Sequence, residues 1–178
     1  VSAFLKIAED ADYAFLLESV EGGEHVGRYS FLGKDPFLTL RSASGTTTIE
    51  RAGEVTTSAA PFIETLRSLM ADFRSPFVPD LPRFTGGAVG YFGYGASSWF
   101  EPVLGDLGES PDGADTAGFM MFDTVLAFDH VQHRILIIAN ARIGADDDLE
   151  SLYQFAVAKI GFLERELERN LSVTRRAH

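Results

Sequence analysis

Residues 13–40 of this 178-residue chain read YAFLLESVEGGEHVGRYSFLGKDPFLTL, and their patterning sets the terms for everything around them. Residues 13–20 and 27–33 are strand-like runs separated by Glu21, Gly22, Gly23, Glu24 and His25, which predicts a β-hairpin. Side chains alternate along a strand, so Tyr13, Phe15, Leu17 and Ser19 share one face and Ala14, Leu16, Glu18 and Val20 the other. In the second run Arg28, Ser30 and Leu32 lie on one face, with Tyr29 and Phe31 opposite. With Ser19 and Ser30 directed the same way, their hydroxyls meet an anionic group at the edge of an apolar pocket, while Glu18 points away. An acid, two hydroxyls and aromatic walls suit a ligand with an ammonium, a carboxylate and a large apolar side chain. Such a ligand is an amino acid. The plainer reading is that Glu18 and Ser19 mark where a buried strand emerges into solvent, since charges are normally solvated, and residue chemistry leaves both open.

Outward from the hairpin, residues 2–10 predict a short helix capped by Ser2, with Phe4, Leu5 and Ala8 on one side. Asp35 and Pro36 turn the chain into a strand at 37–42. A polar hairpin follows, 46–51 against 54–57 about Ala52 and Gly53, suited to a sheet edge. Pro61 opens a helix whose Phe62, Leu66, Leu69, Met70 and Phe73 recur at helical spacing. Residues 76–84 carry three prolines and predict an extended surface connector. The glycines of 85–95 lack the Walker lysine and a complete GxGxxG, so they predict close backbone approach rather than a phosphate loop. Residues 119–130 predict one long strand, and 134–141 a second, joined through His130, Val131, Gln132 and His133. Neither histidine has a third ligand or a nucleophile beside it in sequence, so no metal or catalytic role is assigned to them. Asp146, Asp147 and Asp148 precede a helix with the stripe Leu149, Leu152, Tyr153, Ala156, Ile160, Leu163 and Leu167. The acids Asp106, Glu109, Asp112 and Asp115 lie in a turn-rich loop without EF-hand spacing and read as solvated.

The predicted class is α+β: a largely antiparallel sheet of five or more strands, with the helices near 60–74 and 146–169 packed on it. The length fits a single domain. A formal net charge of −11 with no basic stripe argues against nucleic acid or an anionic membrane as partner. With no cysteine there is neither a disulfide frame nor a thiolate metal site, which fits a cytoplasmic setting. No apolar run approaches the roughly 20 residues that span a bilayer.

Three ordered segments carry a family resemblance: LLES followed by ten residues and a serine, continuing as GRYSFLGKDP; PRFTGGAVGYFGYG at 82–95; and FMMFDTVLAFDH at 119–130. Together they resemble the N-terminal portion of the anthranilate synthase component I family, over about residues 13–142. The resemblance implies a tryptophan feedback site at Leu17, Glu18, Ser19, Tyr29 and Ser30. It implies a truncated regulatory domain that is catalytically inactive and needs no cofactor, with chorismate and Mg²⁺ bound by a C-terminal domain that is absent here. The implied partners are L-tryptophan, that C-terminal domain and a glutamine amidotransferase subunit. The related aminodeoxychorismate synthase component I, or a stand-alone amino-acid-binding or oligomerisation module, are the alternatives. Residues 95–98, Gly-Ala-Ser-Ser, depart from the family, whose members commonly carry an aspartate and charges there. Surface left bare by the missing domain implies self-association.

Overall fold

The computed structural model describes residues 2–18, 27–105 and 114–169. Its strands are β1 (Ala14–Leu17), β2 (Tyr29–Lys34), β3 (Leu38–Ala43), β4 (Thr46–Arg51), β5 (Glu54–Ser58), β6 (Gly87–Phe92), β7 (Ala117–Phe122), β8 (Thr124–Asp129) and β9 (Arg134–Ala139). Its α-helices are α1 (Ser2–Ile7), α2 (Phe62–Ala71) and α3 (Leu149–Glu168). The class is α+β, with two wholly antiparallel sheets. The chain divides into two compact units: Val1–Asp35, Leu81–Gly86 and Asp123–His178 form one, Pro36–Asp80 and Gly87–Phe122 the other.

The first unit is built on a four-stranded sheet in the order β1-β2-β8-β9. The register pairs Leu16 with Leu32, Leu32 with Leu126 and Leu126 with Ile137, so these side chains share one face. That face is covered by α1 and α3, whose Ile7 and Leu163 close a core with Leu32 and Leu126. The opposite face carries Phe15 and Phe31, and Phe84 packs edge-on against both, with ring centroids 6.3 and 5.3 Å away. Phe84 belongs to the stretch read from its prolines as a surface connector; it is half-buried, because these two aromatics need cover on the side the helices do not reach. Asp148 caps α3, its carboxylate accepting from the Glu150 and Ser151 N–H groups, while Asp147 accepts from the Gly144 N–H. Leu149 and Tyr153, assigned above to the buried stripe, are exposed; Leu163 is the buried centre of a narrower contact.

The second unit holds a five-stranded sheet in the order β5-β4-β3-β7-β6. Two tight hairpins join β3, β4 and β5. Their turn pairs, Ser44 with Gly45 and Ala52 with Gly53, all have positive φ, the geometry that follows the strand twist. α2 lies on the face bearing Leu38, Leu40, Ala117 and Met121, and its Phe62 completes the core. Phe62, Phe92, Trp99 and Phe119 form an aromatic cluster. The divergent segment at 95–98 lies within a 3₁₀ helix, Tyr94–Trp99, in which Ser97 and Ser98 hydroxyls donate to the Tyr94 and Gly95 carbonyls and Ala96 is buried.

The long strand expected at 119–130 is two strands in two different sheets. The break falls at Asp123. Its carbonyl accepts from the Asn140 backbone and side-chain N–H groups, and its carboxylate receives Lys159 at 2.8 Å and Arg142 at 3.5 Å. These bonds hold an acid inside an otherwise apolar run, and there the chain leaves one ladder for the other.

Candidate functional site

The hairpin segment places four of the five expected site residues in view; Ser19 lies outside the described residues, as do Glu21, Gly22, Gly23, Glu24 and His25. Leu17 ends β1 and is 47% exposed. Tyr29 opens β2, half-buried, with its ring 6.0 Å from Phe31 and the Arg28 guanidinium 4.9 Å above it. Ser30 is buried, 5% exposed.

Register decides which of these side chains meet. Leu17 pairs with Phe31, so Leu17, Phe31 and Tyr29 share the face on which Phe84 packs. Ser30 pairs with Phe128 and stands on the other face, beside Leu32. Leu17 and Ser30 therefore face opposite ways, and Glu18 lies exposed just past the last paired residue. The sequence hides this because the number of residues between two strands does not fix which residues pair.

Around Ser30 the structure adds residues that sequence reading passed over. The Ser30 Oγ lies 2.8 Å from Nε2 of His130, the exposed residue just after β8. The His130 backbone N–H donates to the Arg28 carbonyl at 2.9 Å. Beside it, Asp129 is 2% exposed and takes the Arg28 Nε at 3.2 Å and Nη2 at 2.8 Å. The same carboxylate accepts from the Val131 and Gln132 N–H groups, closing the β8–β9 turn. The hydrogen bonds from Arg28, ahead of the turn N–H groups, hold the Asp129 carboxyl well below the usual carboxylate range despite burial. The start of β2 and the end of β8 are thus locked as one piece, with Ser30 and His130 facing each other across it. The only hint in sequence was the FDH run, where the acid and histidine had no visible partner.

Among the described residues no three His, Asp or Glu side chains gather where they could hold a metal ion, so Mg²⁺ is assigned no residue here. No helix among them is long and apolar enough to cross a membrane.

No family model matches the chain. Anthranilate synthase component 1 of Acetivibrio thermocellus is 39% identical over 166 residues, which span 93% of this chain and 33% of that protein. The chain is a relative of anthranilate synthase component 1. The anthranilate synthase component 1 of Acinetobacter calcoaceticus is 36% identical over 184 residues, spanning 100% of this chain and 36% of its own length. This chain therefore covers about a third of the curated anthranilate synthases it matches. The crystal structure of anthranilate synthase component I from Streptococcus pneumoniae TIGR4 superposes with a TM-score of 0.61, covering 94% of this chain and 34% of that one. At 22% identity that likeness establishes the fold.

Proposed function

We propose that this chain is the N-terminal, regulatory third of an anthranilate synthase component 1, and that the β1–β2 hairpin holds L-tryptophan as feedback effector. The observation that supports it is the hairpin together with the similarity that spans it: Leu16 and Leu17 of the LLES run pair with Leu32 and Phe31 of GRYSFL, and Ser30 of that second run lies 2.8 Å from His130.

In this reading the reaction, amination of chorismate with loss of pyruvate, belongs to the part of the protein beyond this chain. That part would bind Mg²⁺ and receive ammonia from a glutamine amidotransferase subunit, and the whole would work in the cytoplasm. Tryptophan inhibits by binding one conformation better than another, lowering activity by that difference in affinity. Replacing Glu18 or Ser19 by alanine in the complete protein is expected to relieve tryptophan inhibition of anthranilate formation. Inhibition unchanged in both variants overturns the assignment.

A further inference from the structure

We propose that His130 is the group that touches the effector's carboxylate, and that Ser30 acts behind it as a positioning residue. The inference rests on the tryptophan reading above and assigns roles within that site.

Burial separates the two partners. Ser30 is 5% exposed and its hydroxyl is spent on His130 Nε2 at 2.8 Å, whereas the imidazole is exposed at the strand end. A ligand arriving from solvent meets the ring first. Among the described residues no other hydrogen bond engages the ring, so Nδ1 is open to an incoming group. Either group can be the donor in this bond; in the proposed arrangement the serine hydroxyl donates to Nε2, the ring proton sits on Nδ1, and a donor points outward, since the bond at one ring nitrogen sets what the other can do. A donor at that place suits a carboxylate.

The ring cannot drift from this position. Its own backbone N–H is held by the Arg28 carbonyl at 2.9 Å, and the next turn is closed on Asp129. Arg28, just ahead of β2, is committed through Nε and Nη2 to the buried Asp129 and lies over Tyr29, and Lys34, at the far end of β2, lies 3.8 Å from the Asp35 carboxylate. That leaves the histidine as the better-placed carboxylate ligand.

The test is tryptophan inhibition of the complete protein carrying His130→Leu, His130→Gln, Ser30→Ala, Ser30→Thr, and the double Ser30→Ala, His130→Leu. A hydrogen bond to a charged group implies that His130→Leu raises the tryptophan concentration for half-inhibition about 10- to 100-fold. Ser30→Ala is expected to raise it less, Ser30→Thr to preserve inhibition, and His130→Gln, which keeps a side-chain donor, to recover part of the loss. The double variant is expected to match His130→Leu alone, because the serine works through the ring. Circular dichroism of each variant shows that it is folded; should His130→Leu not fold, the Gln, Ala and Thr variants carry the comparison. Wild-type inhibition in His130→Leu or, should that variant not fold, weakened inhibition in Ser30→Thr, with Glu18→Ala or Ser19→Ala still relieving inhibition, overturns this proposal and leaves the tryptophan site standing. Additive losses in the double variant overturn it as well. Unchanged inhibition in every variant, Glu18→Ala and Ser19→Ala included, removes the site and the proposal together.

Discussion

Gly90→Ala is expected to destabilise the second unit, although alanine is ordinarily the better strand residue. A Cβ built on Gly90 lies 2.1 Å from the Gly118 carbonyl oxygen and 2.6 Å from the Phe119 Cα and Cγ atoms. Contact between nonbonded carbon atoms needs about 3.5–4.0 Å, and two of these three obstacles are backbone. No rotamer change relieves them. β6 is the edge strand paired with β7, with Gly90 opposite Phe119, so the edge must back away from its neighbour. Overpacking costs about 1–3 kcal/mol, and each ladder hydrogen bond stretched in the process about 1 kcal/mol more. Against this, losing glycine's backbone freedom returns about 0.5–1 kcal/mol. The clash wins by about 2.5 kcal/mol, which for a chain of this size lowers the midpoint by about 5–10 °C. Trp99 is the sole tryptophan and packs 5.6 Å from Phe62 in the same unit, so its fluorescence during thermal unfolding reads the transition directly. Gly118→Ala is the control. There the new methyl meets the Tyr91 ring at 3.1 Å, a half-exposed side chain that swings aside, and the expected loss is under about 1 kcal/mol. A Gly90→Ala midpoint equal to or above wild type would refute the close approach.

Asp129→Asn is expected to lower the melting temperature at pH 7 and to flatten its acid dependence. The folded carboxyl is held below its ordinary value of 3.8, so its stabilisation is full above that value and is lost as pH falls through it toward the folded one. Melts between pH 7 and 3 check the sign, and an Asn variant with wild-type acid sensitivity contradicts it. The chain by itself is expected to self-associate, because Tyr94 and Val103, each 88% exposed, and Phe100, 57% exposed, follow the free edge of β6. Light scattering with sizing should show mass rising with concentration, and a monodisperse monomer counts against it.

What was legible in the sequence was local. The β3–β4–β5 meander announced its second turn through Ala52 and Gly53, and α3 announced its start through Asp148 and the spacing of Leu152, Leu163 and Leu167. Non-local pairing was not legible. Alternation is the same on both sides of Asp123, so nothing in residues 119–130 tells that β7 and β8 join different sheets; only the partners of Asp123, which include Asn140 and Lys159, reveal the break. The candidate site suffered in the same way. Leu17, Tyr29 and Ser30 lie on the paired strands β1 and β2, yet only the register shows that Leu17 shares a face with Tyr29 and Phe31 and not with Ser30. His130 was set aside because its partner lies 100 residues earlier. Phe84 was misplaced because proline density speaks to backbone conformation and says nothing of the two aromatic rings waiting for it.

Hydrogen exchange of the complete protein with and without L-tryptophan, with L-phenylalanine as control, tests the tryptophan site most directly. Slowed exchange confined to L-tryptophan, in peptides covering residues 14–18, 28–34 and 128–133, is the predicted result, since binding there protects the hairpin and the turn locked to it. Unchanged exchange in all three peptides at saturating tryptophan would contradict the assignment.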